Sequence, residues 1–337
     1  MSRCSSSGLA LMLWAAMAAA VCGCGRPDTA PRVVVYSSVD EPVARPVLEA
    51  FQSKTGIRVV LVTDAEAAKT VGLAARLEAE RNNPQADVYW GNEPFHTINL
   101  ARNGVLAEYA SPAAADIPAK YKDSAGRWAS CGLRLRVIGL AAGGEAARAC
   151  AAVKGVADLA RPELRGRTGM ARPSAGTTGG HVAALYVAMG EAAARRLLES
   201  LRDNGIRLLG GNSQVVRYIA EGQLWAGLTD NDDVLNARRR GWKVEMMMPD
   251  QEGPGTLAVP TTVAMVAGCR RSENARRLID YLLSAETEKR LVDAGFAHCS
   301  VRVEPRGVRL MSVDYNAVVA KLPYAVADAL RILEGRR

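Results

Sequence analysis

Three carboxylates fall within four residues of the sequence, at Asp230, Asp232 and Asp233. Carboxylates this close repel one another unless a cation or water offsets their charge, and their oxygen atoms are ligands that hard metal ions prefer. The spacing therefore predicts a cation-binding site. The alternative is a solvated helix start, because Asp is favoured at the N-cap and in the first helical turn.

A second polar segment, Ser174-Ala-Gly-Thr-Thr178, precedes a predicted helix and has the properties of an anion site. Its small residues allow close approach, and its hydroxyl and N–H groups would converge where the helix begins. The segment Gly210-Gly-Asn-Ser213 is a similar turn before another predicted helix. An ordinary Ser/Thr N-cap accounts for the same pattern and remains the alternative.

No catalytic set accompanies these segments. His96, His181 and His298 are far apart in the sequence, and the chain has no G-x-S-x-G elbow, P-loop or G-x-G-x-x-G motif. We therefore expect a protein that binds a solute rather than an enzyme, with no cofactor of its own.

Composition and charge bear on whether the partner is a nucleic acid. The 337 residues are 49% hydrophobic and 23% charged, which is ordinary for a globular chain with room for two domains. The formal net charge is +8, but the basic residues are scattered and Arg238–Arg240 is the only run of three. Aromatic residues make up only 5% of the chain, so a nucleic-acid-binding groove is not indicated.

The elements that would position these segments alternate between strand and helix. Arg32–Tyr36 is a β-branched run typical of a buried strand, Val43–Thr55 is an amphipathic helix that ends at Gly56, and Ile57–Val62 is a second strand. Such β-α-β units predict an α/β fold with a largely parallel sheet and helices on both faces. Ligands of such sheets bind where strands end, so the turns at those points are the candidate sites.

Two long strands divide the predicted sheet into two lobes. Leu133–Leu140 would leave one lobe for the other and Gly255–Val266 would return, which predicts a hinge of two segments. The first lobe then comprises residues 32–137 and 267–337, and the second comprises residues 138–266. The C-terminal helical region is expected to pack on the first lobe.

Arg134 and Arg136 lie on one face of the first crossing strand, because alternate side chains of a strand share a face. They would either face the cleft and pair with a bound anion or form salt bridges between the lobes. The sequence leaves both interpretations open.

The N-terminal residues carry the pattern of a bacterial export signal. An Arg precedes an uncharged stretch that is too short for a stable transmembrane helix, and Val21-Cys-Gly-Cys24 resembles a lipobox. Residues 1–23 are interpreted as a lipoprotein signal peptide, Cys24 as the lipidated residue and residues 24–31 as a tether. A plain signal peptide with an earlier cut is the alternative. Four further cysteines, whose spacing ranks no disulfide pairing, are Cys131, Cys150, Cys269 and Cys299.

Several segments together resemble the periplasmic ferric-iron-binding proteins of bacterial ABC importers. They are VVVYSSVDEPVARPVLEAFQSKTGIRV, NNPQADVYWGNEP with ARNGVLAEY, IPAKYKDSAGRW, and PDQEGPGTLAVPTTVAMVAG with ENARRLIDYLLSAETEKRL. The resemblance covers nearly the whole mature chain. It implies a two-lobed fold of the periplasmic binding protein type (type II-like). The protein would be a monomer in the periplasm or lipid-anchored at the outer face of the cytoplasmic membrane, and would pass its cargo to an ABC permease with an ATPase subunit.

The resemblance also implies a set of metal ligands. In the iron-binding members, a His and a Glu from the first lobe and two adjacent tyrosines from the second lobe hold the metal, and a small anion completes the site. The His position corresponds to Asp40, and the Glu position falls at Asn92 or Glu93. The tyrosine pair is replaced by Asp232 and Asp233, so the iron-tyrosinate site cannot form at these positions.

Two cargo classes follow from these substitutions. The acidic residues would make an all-oxygen site for a hard cation such as ferric iron or calcium, with a phosphate or carbonate on the turn at residues 174–178. Alternatively, an aminoalkylphosphonate or a phosphorylated small molecule would place its anionic end on that turn and its amine or hydroxyls on the aspartates. A metal-dependent phosphoesterase is the least favoured class, because no nucleophile or His pair accompanies the acids. The predicted metal ligands are Asp40, Glu93, Asp232 and Asp233, and the other predicted ligand-binding residues are Ser37, Ser38, Ser174, Gly176, Thr177, Thr178, Asn212 and Asp230.

Overall fold

The computed structural model describes residues 30–63, 69–174 and 176–335, and in this part of the chain ten strands form one curled sheet. The described cysteines at positions 131, 150, 269 and 299 are free. The predicted signal peptide, Cys24 and most of the tether lie outside the described residues. The strands are β1 (Arg32–Ser37), β2 (Arg58–Val62), β3 (Val88–Gly91), β4 (Leu106–Ala107), β5 (Ala129–Ala141), β6 (Thr168–Ala171), β7 (Arg207–Leu209), β8 (Ala226–Asp230), β9 (Val244–Met247) and β10 (Ala258–Val266).

The described ranges also contain eleven α-helices. They are α1 (Glu41–Thr55), α2 (Lys69–Ala79), α3 (Pro94–Arg102), α4 (Gly144–Cys150), α5 (Gly176–Met189), α6 (Glu191–Asp203), α7 (Asn212–Ala220), α8 (Asn231–Arg239), α9 (Ser272–Leu282), α10 (Ala285–Asp293) and α11 (Tyr315–Leu333). No helix among the described residues is both long enough and apolar enough to cross a membrane.

The strand order is β2-β1-β3-β10-β5-β8-β6-β7, with β4 paired to β10 and β9 paired to β5. β1 is parallel to β2 and β3, and β6 is parallel to β7 and β8. β10 and β5 run antiparallel to all of their neighbours. The expectation of a largely parallel sheet is therefore corrected to a mixed sheet, because the long strands β10 and β5 lie side by side at the centre of the sheet and run antiparallel to their neighbours.

The long strand β5 joins the two halves of the sheet. Its residues from Ala129 to Leu135 pair with β10, and its residues from Arg136 to Ala141 pair with β8 and β9. The change of partner between Leu135 and Arg136 lies next to the predicted lobe boundary at residues 137/138. That boundary stays a prediction, but the strand that was expected to cross between the lobes is one continuous element.

The C-terminal helices divide between the two halves of the molecule. α9 packs on β10 and β1, and α10 packs on β5 and α1, as expected for the first lobe. α11 instead packs mainly on α5 and α6, which fall in the predicted second lobe, and also on α3. The expectation for the C-terminal region is therefore corrected for α11, whose apolar side chains cover α5, a helix that is buried over most of its length.

Local sequence explains why each strand ends and a helix begins at the edge of the sheet. β1 is rich in β-branched residues, which favour strands, and α1 follows it with Pro42 in its first turn. α1 ends at Gly56, whose φ of 71° is the left-handed conformation that glycine adopts without strain. The same strand-then-helix order places the starts of α3, α5, α7 and α8 directly after β3, β6, β7 and β8.

Candidate functional site

Asp230 lies at the centre of a buried network where β8 passes into α8. Its carboxylate accepts hydrogen bonds from Nη2 of Arg134 at 2.5 Å and from Nη1 of Arg136 at 2.8 Å. All three side chains are at least 95% buried. Asp230 occupies the N-cap position of α8, yet its side chain makes no capping hydrogen bond. The interpretation of this residue as a solvated helix cap is therefore wrong.

Two further donors complete the shell around Asp230. The hydroxyl of Thr177 donates to Oδ2 at 2.8 Å, and Nδ2 of Asn212 donates to the same oxygen at 3.0 Å. The Thr177 hydroxyl also accepts from Arg136 at 3.2 Å and from Asn212 at 3.0 Å. The starts of α5 and α7 are thus tied to one carboxylate at the end of β8.

Asp232 and Asp233 lie in the first turn of α8, beside Asp230. One carboxylate oxygen from each of the three aspartates lies within 4.8 Å of the others, which is close enough for a shared metal ion. Nε of Arg134 lies 3.3 Å from Asp232, and the hydroxyl of Thr229 donates to Asp233 at 3.1 Å. The acidic cluster, defined here as Asp230, Asp232 and Asp233, therefore has one arginine between two of its members.

The two kinds of aspartate in this cluster have opposite pKa shifts. Burial alone would raise the pKa of Asp230, but the charges of Arg134 and Arg136 outweigh it and hold that pKa below its ordinary value. Burial raises the pKa of Asp232 to about 7, and the charges of Asp230 and Asp40 add to the effect. Burial and the neighbouring aspartates also raise the pKa of Asp233 well above its ordinary value. The arginines therefore keep Asp230 ionised, whereas Asp232 and Asp233 hold protons more readily than an ordinary aspartate does.

Arg136 is fully buried and only part of its guanidinium has a partner. Nη1 pairs with Asp230 and Thr177, whereas Nε and Nη2 have no hydrogen-bond partner among the described residues. His181 lies one turn after Thr177 on α5. Its burial and the charge of Arg136 lower its pKa to about 3. The imidazole is therefore neutral near pH 7, and the positive charge of this region belongs to the arginines.

The predicted first-lobe ligands fall into two groups. The charge of Asp40 raises the pKa values of Asp232 and Asp233, so Asp40 lies within electrostatic range of the acidic cluster. Glu93 instead accepts hydrogen bonds from the backbone N–H groups of Phe95 and His96, and its Oε1 lies 2.9 Å from Nδ1 of His96. The structure does not bring Glu93 into the cluster, because its carboxylate caps α3.

Ser37 and Ser38 organise the adjoining turn. The Ser37 hydroxyl donates to the carbonyl of Trp90, and the Ser38 hydroxyl contacts the side chain and backbone N–H of Asn92. Both serines are fully buried. The carbonyl of Asn92 in turn accepts from Nη1 of Arg134 at 3.2 Å. These serines therefore support the turn that contacts Arg134.

The predicted anion turn is split by the fold. Thr177 contacts Asp230, and Thr178 donates to Oδ1 of Asn212 at 3.1 Å. Ser174 is exposed and lines a separate cavity of about 190 Å³ with His96, Gly176 and apolar residues of α11. Among the residues of this turn that the structure describes, only the two threonines reach the network around Asp230.

Phe296 was not anticipated from the sequence. Its ring centroid lies 5.0 Å from the guanidinium carbon of Arg134, and its carbonyl accepts from Nδ2 of Asn231 at 3.3 Å. Asn231 also accepts from the backbone N–H of Leu135 at 2.7 Å. No sequence pattern links residue 296 to residue 134, because the contact depends on how the loop after α10 lies against β5.

Four carboxylates and two guanidinium groups make this region negative overall when all are ionised. With every group ionised, Asp40 and the acidic cluster would carry four negative charges against the two positive charges of Arg134 and Arg136. Oxygen ligands with excess negative charge suit a hard metal cation or an organic amine.

Comparison with known proteins places this geometry in context. A family model described as bacterial extracellular solute-binding protein matches residues 32–297. The major ferric iron-binding protein of Neisseria meningitidis serogroup B is 24% identical over 309 residues, which cover 90% of this chain and 89% of that protein. The putative 2-aminoethylphosphonate-binding periplasmic protein of Salmonella typhi is 25% identical over 250 residues, which cover 72% and 69% of the two chains.

The fold is also similar to that of a solved two-lobed binding protein. The crystal structure of iron-bound HitA from Pseudomonas aeruginosa superposes with a TM-score of 0.78 at 20% identity, covering 89% of this chain and 99% of that chain. The predicted two-lobed fold and the predicted resemblance to ferric-iron-binding proteins are confirmed.

Proposed function

The chain belongs to the bacterial extracellular solute-binding protein family, and we propose that it captures a hard metal cation, with ferric iron as the preferred cargo, on the acidic cluster and Asp40. Proteins of this family bind solutes for ABC importers, with a permease and an ATPase, and they are not enzymes. The expectation of no catalytic function is confirmed. Iron is transported cargo in the ferric-binding relatives, and no cofactor is indicated.

The observation that carries the proposal is the convergence of three carboxylates, of which only Asp230 is paired with two arginines. Burial and the charges of neighbouring aspartates raise the pKa values of Asp232 and Asp233, so the empty site takes up protons in place of a cation. A metal ion would displace these protons and would find oxygen ligands from three residues within 4.8 Å. Ferric iron is preferred over calcium because the Neisseria relative is named as a ferric iron-binding protein.

The test is a metal titration of the mature protein prepared without chelators. Ferric iron, supplied as the citrate complex, and Ca²⁺ are titrated separately, and bound mass is read by native mass spectrometry. We expect one ferric ion per chain, and loss of binding in the variant Asp232→Asn/Asp233→Asn. Asp87→Asn is the matched control, because Asp87 is also a buried aspartate paired with an arginine, Arg271, but lies away from the cluster. Failure of the wild-type protein to retain any metal would refute the proposal.

An aminoalkylphosphonate is the second candidate cargo. It is favoured by the unpaired Nε and Nη2 of the buried Arg136, which are donors suited to an oxyanion, and by the Salmonella relative named for 2-aminoethylphosphonate. An amine at Asp232 or Asp233 would offset their charge as a metal does. Calorimetry with 2-aminoethylphosphonate on metal-free protein tests this candidate, and saturable binding in the absence of metal would replace the metal assignment.

We further propose that Cys24 carries a lipid and that the mature protein is a monomer outside the cytoplasmic membrane. The lipobox-like segment supports the lipid anchor, and the ferric-binding and phosphonate-binding relatives named as periplasmic support the location. Cys24→Ala should release the protein into the soluble periplasmic or culture fraction. Equal membrane association of the variant and the wild type would overturn the anchor.

A further inference from the structure

The turn predicted to hold a free anion is already engaged by a carboxylate of the chain itself. Thr177 and Asn212, which come from the two small polar turns of the second sheet half, both donate to Oδ2 of Asp230. Arg134 donates to the same oxygen, and Arg136 donates to Oδ1. One carboxylate therefore receives the hydroxyl, amide and guanidinium donors that a free oxyanion would need at this place.

The position of Asp230 makes this engagement part of the fold. Asp230 is the last residue of β8 and is paired in register with Arg136 on β5. Its side chain is 2% exposed, and the donors come from β5, α5 and α7. A tethered carboxylate costs no translational freedom on binding, so it competes effectively with any dissolved anion for the same donors.

We propose that Asp230 acts as a built-in anion, which takes the place of an exchangeable phosphate or carbonate and makes cation binding independent of added anion. Asp230 is thereby a specificity-determining residue that excludes free oxyanions from these donors. The inference rests on the proposed function, because the cation is the cargo assigned there to the acidic cluster and Asp40. It also disfavours an organophosphorus cargo at Thr177 and Asn212.

The charge of the site and the burial of its donors both support the exclusion of dissolved oxyanions by Asp230. A phosphate at this place would add negative charge beside the four carboxylates formed by Asp40 and the acidic cluster, and like charges at this range repel strongly in a buried site. The remaining donors, Nε and Nη2 of Arg136, belong to a side chain with no exposed surface. A dissolved oxyanion therefore reaches the arginines only if the Asp230 carboxylate is removed or displaced.

The first test uses the wild-type protein. Ferric citrate and Ca²⁺ are titrated in buffers free of phosphate and carbonate, and again with inorganic phosphate at millimolar concentration. We expect the metal affinity to be the same within about a factor of 2, and no phosphate, carbonate or citrate in the mass of the metal-loaded protein, because no dissolved anion takes part in the equilibrium. Metal binding that requires phosphate or carbonate would overturn the proposal while leaving the metal assignment intact.

The second test removes the Asp230 carboxylate and measures whether dissolved phosphate then binds the donors that it leaves. Asp230→Ala frees four donors, so inorganic phosphate should bind the variant at least about tenfold more tightly than the wild type and should raise its melting temperature. Asp230→Asn keeps the shape of the side chain without its charge and provides a folded alternative if the alanine variant is unstable. In that variant phosphate should again raise the melting temperature more than in the wild type.

Asp87→Ala is the matched control for this gain of binding. It also removes a buried carboxylate that pairs with an arginine, Arg271, and accepts from a backbone N–H. Phosphate should not stabilise this control beyond its effect on the wild type. Equal phosphate responses in the wild type, the Asp230 variants and the control would refute the inference. Phosphate binding by the Asp230 variants of a protein that binds no metal would support the exclusion of oxyanions by Asp230 and would refute the proposed cargo.

Discussion

Arg136 and Asp230 are register partners on the antiparallel strands β5 and β8, and Nη1 of the arginine lies 2.8 Å from Oδ1 of the aspartate. The two residues are 94 positions apart in the sequence. Their pairing occurs at the point where β5 changes partner from β10 to β8. A shift of one residue in this register would turn Arg134 and Arg136 to the opposite face of the sheet, so the strand register controls the charge of the site.

The empty protein should lose stability as pH rises through the acidic range because of Asp232. Its pKa is raised from 3.8 to about 7 in the folded state, so the folded protein binds the proton more tightly than the unfolded chain does. Asp232 therefore lowers the free energy of unfolding by at most about 1.4 kcal/mol for each pH unit between these values. Asp232→Asn should be the more stable protein at pH 7 and equal to the wild type near pH 4. Urea unfolding of metal-free protein at several pH values measures this difference, and parallel pH curves would contradict it.

Metal affinity should rise with pH through the same window. Asp232 and Asp233 have raised pKa values, so a cation competes with protons for their carboxylates. We expect the affinity for Ca²⁺, which does not hydrolyse in this range, to increase by up to about tenfold per proton displaced for each pH unit below 7. Calorimetry in buffers of different ionisation enthalpy would count the protons released. Proton release of zero at pH 6 would show that these carboxylates are not the ligands.

Thr177→Val should destabilise the empty protein by about 1–3 kcal/mol, because a buried hydroxyl that makes three hydrogen bonds is lost. Thr177→Ser keeps the hydroxyl and removes only a methyl group, so it should cost less. Thermal or urea unfolding of the two variants separates the contributions. No loss in Thr177→Val together with a loss in Thr177→Ser would assign the stability at this position to packing of the methyl group and not to the network around Asp230.

Arg134→Met should destabilise the protein by about 3–5 kcal/mol, since removing one partner leaves buried carboxylates without compensation. Adding Asp232→Asn should recover part of that loss, because one of the two uncompensated charges is then gone. A double-mutant cycle on the free energy of unfolding measures the coupling. Additive effects of the two substitutions would show that Arg134 and Asp232 do not interact in solution.

Much of the fold could be predicted from local pattern. The β-branched run at Arg32–Tyr36, the helix that ends at Gly56 and the long strand around Leu133–Leu140 correspond to β1, α1 and β5. These elements are specified by short-range periodicity and by residues such as glycine that end a helix. The packing of α11 on α5 and α6 could not be predicted, because an amphipathic helix shows which face is buried but not which neighbour covers it.

For the site, the sequence by itself determined the chemistry available: three carboxylates at the start of α8, small polar turns before α5 and α7, and two arginines on one face of a strand. Only the tertiary structure decided how these groups combine. Asp230 turns to Arg134, Arg136, Thr177 and Asn212, whereas Glu93 is taken up by the cap of α3. The reason is that a carboxylate pairs with whichever donors the strand register and the helix starts bring within about 3 Å, and that proximity is set by long-range packing.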